Sequence, residues 1–170
     1  MTTSNVLGEH TTAFNEQRVA RFVGTIMGLT TLLWAFLLSG AVGDLGQAPL
    51  PWQIAVHALS LLSALAVYVY CRQLAHRTSA AGLMCFVAVA FFLADVSLGF
   101  QYSPYFGVAL MAWAASTRRP LLAGAGVLAM GAAILARFEG GLDAVVISAS
   151  GVIILATALA IRPGDARKPK

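Results

Sequence analysis

Charge is what this chain has least of. Charged side chains make up 11% of its 170 residues, against the roughly one quarter that a water-soluble domain uses to cover its surface. That scarcity excludes an ordinary soluble fold, and 59% apolar residues with a mean hydropathy of +0.80 point to lipid as the main solvent. Cysteine is nearly missing too. Cys71 and Cys85 are the two in the chain, both expected toward the cytoplasmic face, where thiols stay reduced, so no structural disulfide is expected. The signatures of chemistry are absent as well: no HExxH, GxSxG, P-loop or CxxC, no histidine pair at metal-ligand spacing, and no cluster of intramembrane acids like those of proton-driven pumps. Neither an enzyme nor a metal or cofactor protein is expected. The basic residues form no patch interleaved with aromatics, so nucleic acid is not expected as a partner.

What is present is a series of apolar runs separated by short breaks. From Phe22 to Ile161 the charged residues are Asp44, Arg72, Arg77, Asp95, Arg118, Arg119, Arg137, Glu139 and Asp143, and all but Asp95 fall between runs. A chain that crosses a bilayer repeatedly looks like this, because each crossing takes about 20 mostly apolar residues. The expected fold is all-α, a polytopic bundle of about six transmembrane helices over 21–42, 52–71, 80–100, 104–116, 121–138 and 142–161. Residues 1–20 read as a polar cytoplasmic leader, 21–162 as the bundle, and 163–170 as a basic cytoplasmic tail. The first apolar stretch is too long for a cleaved signal peptide, whose core is about 7–15 residues. The fourth helix is short and spans less than a typical hydrocarbon core. Pro120, following Thr117, Arg118 and Arg119, suits the first turn of helix five, where its missing N–H costs nothing.

Orientation follows from where lysine and arginine fall, since basic residues are held back on the cytoplasmic side during insertion. An inside N-terminus puts Arg18, Arg21, Arg72, Arg77, Arg118, Arg119, Arg162, Arg167, Lys168 and Lys170 on that side and leaves Arg137 near the outer one. Both termini are therefore expected in the cytoplasm, with the bundle in the plasma membrane. A five-crossing alternative, with 80–116 as one bent segment, would separate the two basic tails against this rule.

Asp95 is the acid that lies well inside an apolar run, and a carboxyl there must face the bundle interior, find a partner or stay protonated. Arg137, His57, Tyr102 and Tyr105 are expected near the same outer half, so these five could line one outward-facing polar pocket for binding or sensing. The plainer alternative is a structural Asp95–Arg137 pair and an interfacial His57. Gly24 and Gly28 form a GxxxG on helix one, and Gly124, Ala125, Ala129, Gly131 and Ala133 make helix five rich in small residues. Such stripes let backbones approach closely, within the bundle more often than across a dimer face.

From about 80 to 162 the chain resembles the membrane input domain of DesK-like sensor histidine kinases of high-GC Gram-positive bacteria. The resemblance is carried by the helix holding Tyr105, Phe106, Gly107, Val108, Ala109 and Leu110 and closing at Arg118, Arg119 and Pro120. It extends to the Ala/Gly-rich helix that follows and to a last helix ending at Arg162. In that family the last membrane helix continues into a signalling coiled coil, a phosphoacceptor histidine and an ATP-binding domain. This chain stops eight residues after Arg162, and neither His10 nor His76 lies in a phosphoacceptor context, so no catalytic residue carries over. The resemblance implies an input domain lacking the kinase module: a non-enzymatic sensory or regulatory bundle in signal transduction, working through a partner signalling protein or as a homodimer. Two other classes remain open, a small-solute binding subunit like the substrate-capturing component of an energy-coupling transporter, and a purely structural membrane subunit.

Overall fold

A computed structural model describes residues 3–39, 49–74, 78–98, 105–138 and 142–161, with the side chains of 3–13, 49–54, 56, 95–98 and 137 left aside. Among the described residues every regular element is a helix: α1 (Thr3–Leu38), α2 (Pro49–Gln73), α3 (Ser79–Leu98), α4 (Tyr105–Thr117), α5 (Pro120–Phe138) and α6 (Asp143–Ala160). An apolar run in hydrocarbon must satisfy its own backbone N–H and C=O groups, and a helix does so within one segment. Among the described residues two helices are long and apolar enough to cross a membrane, α1 over Phe14–Leu38 and α6 over Asp143–Ala160. Ser79–Ala94, Tyr105–Thr117 and Pro120–Ala136 are shorter apolar helices.

The main departure from expectation is at the start. Helix α1 begins at Thr3, not near Arg21, so the stretch read as a leader is helical and its later part belongs to the bundle. Gln17, Val19 and Ala20 are buried. The polarity of this stretch hid that role, because Gln17 is buried for its hydrogen bond: Nε2 donates to the Ile161 carbonyl oxygen at 3.2 Å. Arg21 donates to the same oxygen from Nε at 3.2 Å and Nη2 at 2.9 Å. Ile161 is where α6 gives way to extended backbone, φ −60° and ψ 120°, and Pro163 follows two residues later. A terminal carbonyl that no later N–H of the helix can reach is thus satisfied from α1.

Helices adjacent in sequence pack against each other, α1 closes the bundle on α6, and α4 also reaches α1 across the interior. The α1–α6 seam is antiparallel and reciprocally notched. A Cβ at Gly24 would lie 2.6 Å from Ala158 Cβ, one at Gly28 would lie 2.6 Å from Leu155 Cγ, and one at Gly151 would lie 2.9 Å from Leu32 Cγ. The GxxxG of α1 is therefore filled from within the chain. A second close approach joins α4 to α5, where a Cβ at Gly107 would meet Met130 N at 2.6 Å and one at Gly126 the Gly107 carbonyl at 2.8 Å.

The expected packing glycines of α5 are displaced by one step. Gly124 and Gly131 have nothing within 4 Å of a notional Cβ, whereas Ala125, Ala129 and Ala133 are buried. Gly124 and Gly126 are two residues apart, about 200° around a helix, so they cannot both face α4. Between α4 and α5 the chain turns in two residues. Arg118 takes a left-handed conformation (φ 55°), and the Arg119 N–H bonds back to the Ala114 carbonyl at 3.0 Å, the long bond of a Schellman cap. The Arg119 carbonyl accepts the first hydrogen bond of α5 from Ala123, with Pro120 in the opening turn.

The surface is the reverse of a soluble protein's. Leu62, Phe86 and Leu159 are 62%, 68% and 75% exposed, and α1, α2, α3, α5 and α6 all carry exposed large apolar side chains. Gln17, Thr31, His57, Ser60, Ser63, Arg119 and Ser150 are buried. Helix α4 is enclosed, burying Tyr105, Phe106, Gly107, Ala109, Leu110, Trp113 and Ala114.

Candidate functional site

A polar stripe of α2 is buried inside the bundle. His57, Ser60 and Ser63 are buried on one side of α2, above Ala64, Val67 and Cys71 in the same stripe. Their spacing of three to four residues keeps them on one face. Ser63 Oγ donates to the Ser60 carbonyl at 2.8 Å, a bond back to the preceding turn that satisfies the hydroxyl and leaves its lone pairs facing inward. The edge of the His57 ring packs against Phe92 of α3, with centroids 5.0 Å apart and planes at 80°.

Tyr105 meets this stripe from α4. It is fully buried and its hydroxyl lies beside Ser63 of α2, with Cys85 of α3 nearby. As the first residue of α4 it stands about 18 Å along the axis from Thr117, because an α-helix rises about 1.5 Å per residue. The first residues of α4, Tyr105, Phe106 and Gly107, are thus held inside the bundle.

From Tyr105 an aromatic chain runs to α1. Its ring meets Phe106 edge-on at 5.2 Å, and Phe106 packs against Trp34 at 5.8 Å. Beside Trp34 and Phe106 lies a small cavity where α1, α4, α5 and α6 meet, lined also by Thr31, Gly107, Ala129, Ala133, Ile147 and Ser150. It encloses about 10 Å³, the room of a single water. Thr31 Oγ1 donates to the Met27 carbonyl at 2.7 Å and Ser150 Oγ to the Ile147 carbonyl at 2.8 Å, so both polar liners are already tied to their own helices.

Of the five residues expected to share a pocket, His57 and Tyr105 are buried in the bundle and belong to elements that the α2 stripe brings together. Asp95 is on α3 and Arg137 on α5, but their side chains lie outside the described residues, as does Tyr102. Sequence reasoning passed over Thr31, Trp34 and Phe106. The signal available was helical periodicity: Met27, Thr31 and Trp34 recur at intervals of four and three residues, on one face of α1. Among the described residues no group of three or more His, Cys, Asp or Glu could hold a metal ion. No family model matches the chain, and neither a curated protein nor a solved structure matches it significantly.

Proposed function

We propose that this is a six-span plasma-membrane protein with both ends in the cytoplasm, acting as a non-enzymatic sensory or regulatory bundle. The multi-pass part rests on one observation: large apolar side chains cover the outside of α1, α2, α3, α5 and α6, while serine, threonine, histidine and glutamine lie inside. Water would drive such a molecule to aggregate; lipid solvates it. The contact of Gln17 and Arg21 with Ile161 supports an even number of crossings, since it brings the start and the end of the bundle to the same side. Single-cysteine accessibility at Thr78 and Thr117, in a variant lacking Cys71 and Cys85, tests the sidedness. Labelling from outside intact cells at either position would overturn it.

The sensory part is carried by the unevenness of the packing. Backbones touch at the α1–α6 and α4–α5 seams through Gly24, Gly28, Gly151, Gly107 and Gly126, whereas the one glycine of the α2–α3 hairpin, Gly82, meets nothing within 4 Å. The hairpin instead rests on side chains, with the polar stripe of His57, Ser60 and Ser63 behind it. We assign the moving part to α2–α3 and the fixed body to the other four helices. Two packings a few kcal/mol apart are enough for a switch. In the DesK-like input domains that the chain resembles, the signal leaves along a continued last helix. Here α6 turns to extended backbone at Ile161, so the output is taken from the bundle surface by a partner signalling protein or a second copy.

Spin labels test this directly. With one label at Leu62 on α2 and one at Leu159 on α6, the distance distribution should have two populations whose ratio changes with bilayer thickness. A control pair at Leu29 on α1 and Val152 on α6 should give a single narrow distance in every bilayer. One unshifted distance for the Leu62 pair would end the sensory proposal. Solute capture would instead depend on Asp95, Arg137 and Tyr102, and a large Asp95-dependent thermal stabilisation by one solute in a panel of vitamins, amino acids and metals would favour it.

A further inference from the structure

The lipid-facing side of the bundle is not uniformly ridged. Between α1 and α2 lies an open groove of about 450 Å³, lined by Phe22 of α1 and by Leu62, Leu65, Val69, Tyr70 and Gln73 of α2. Its lining is almost wholly apolar, and Leu62, Leu65 and Val69 are exposed on its wall. Phe22 and Tyr70 stack across the two helices, with centroids 4.0 Å apart and planes at 22°, which ties the groove's two walls together. Nothing in hydrocarbon but an acyl chain or another apolar segment can fill a depression of this kind, because water has no polar partners there.

Charge at one end decides between those occupants. Arg18 lies one turn before Phe22 on α1, and Arg72 lies one turn after Val69 on α2 beside Gln73; both are exposed. Arg18 carries its guanidinium 4.3 Å over the Phe14 ring, which holds the side chain along this face of α1. Glu16, the nearby acid, is two residues from Arg18, about 200° around the helix, and so points elsewhere. Two cations thus flank the same end of an apolar trough, and the trough runs from them along the bundle.

The geometry points to a binding site for one anionic phospholipid, its acyl chain lying between α1 and α2 and its phosphate between Arg18 and Arg72. Basic pockets between membrane helices on the cytoplasmic side recognise anionic headgroups in this way. The site rests on the membrane reading given above, with the cations in the inner leaflet. A second copy of the chain would have to supply an acidic group against these arginines, a requirement a phosphate meets by itself.

Native mass spectrometry of the full chain released from detergent, with phosphatidylglycerol or phosphatidylcholine added at equal concentration, tests the site. The wild-type chain should keep one phosphatidylglycerol and lose phosphatidylcholine. The double variant Arg18→Gln/Arg72→Gln, which leaves the core untouched, should lower phosphatidylglycerol retention about 25-fold. Ala66→Trp, which fills the trough from its half-buried floor, should abolish retention of either lipid. Equal retention of the two lipids by the wild type, or wild-type retention by the arginine double variant, overturns the site. So does an Ala66→Trp variant that breaks a dimer while lipid retention stays unchanged. Failure of the membrane reading is seen separately, as a chain that is monodisperse without detergent.

Discussion

The Arg21 guanidinium grips the Ile161 carbonyl oxygen with two N–H groups, and in doing so joins the first turns of the packed part of α1 to the residue that caps the end of α6. A charged donor on a helix-terminal carbonyl is favourable both as a hydrogen bond and against the negative end of the helix dipole. The pair is partly open to the interface, so its worth is below that of a buried charge-assisted bond.

Arg21→Ala should destabilise the chain by about 1 kcal/mol, lowering the midpoint of thermal unfolding in detergent by about 2–4 °C. The loss should be local as well as global. Limited proteolysis with trypsin should cut the 162–170 segment faster in the variant than in the wild type. An unchanged cleavage rate together with an unchanged midpoint would mean that Gln17 alone holds the end of α6.

Glycine substitutions should separate by what stands opposite them. At Gly107 the obstacles are backbone atoms, Met130 N at 2.6 Å and the Gly126 carbonyl at 2.7 Å, so Gly107→Ala must push α4 from α5 and should cost about 3 kcal/mol. At Gly28 the obstacles are Leu155 Cγ at 2.6 Å and Cδ2 at 2.8 Å with its backbone N at 3.1 Å, so the side chain must turn and the helices part slightly, and Gly28→Ala should cost about 2 kcal/mol. Gly124→Ala and Gly131→Ala, with open space around the added methyl in mid-helix, should each stabilise by about 0.5–1 kcal/mol. Size-exclusion chromatography after heating reads the order, and a Gly28→Ala penalty above that of Gly107→Ala would contradict the two seams as described.

Arg118→Gly should stabilise. Arginine at φ 55° occupies the position where a Schellman cap usually has glycine, and a side chain in that conformation costs about 1–2 kcal/mol. Part of the relief is returned through the greater freedom of glycine in the unfolded chain, which leaves a net gain of about 0.5–1 kcal/mol. The choice of arginine fits the cytoplasmic side proposed above for this turn. A lower melting midpoint for Arg118→Gly would show that the guanidinium makes a contact worth more than the strain.

Tyr105→Phe removes a buried hydroxyl beside Ser63 and keeps the ring on Phe106. The expected cost is about 1 kcal/mol, against about 3–5 kcal/mol for Tyr105→Ala, which also leaves a cavity. In the spin-label experiment, Tyr105→Phe should alter the ratio of the two α2 populations. A change in melting midpoint with an unaltered ratio would make Tyr105 a packing residue only.

Much of this architecture was legible in the residues. Apolar runs bounded by Arg72, by Arg118 with Arg119, and by Arg162 give helices close to those observed, because a long apolar run satisfies its own backbone groups best as a helix. Gly24 and Gly28 were readable as a packing face because their four-residue spacing is itself the signal. Gly107 and Gly126 were not, since each contributes a single notch and only the folded pair reveals that the notches meet. The helical start of α1 was hidden for a different reason: Gln17 is polar by composition but interior by partner. Burial of His57 and Tyr105 follows from the α2 stripe, whereas the proposed gathering of Asp95, Arg137 and Tyr102 lies beyond the described side chains.

The notched seam of α1 and α6 also sets a condition on biogenesis. Gly24 and Gly28 leave the ribosome long before Leu155 and Ala158, and at about 5–20 residues per second the wait between them is roughly 6–25 s. Throughout that interval the notched face of the nascent α1 lacks the helix that fills it. A chain halted before its last helix can complete the α4–α5 seam yet never close the bundle, and its N-terminal helix is left still waiting for its mate.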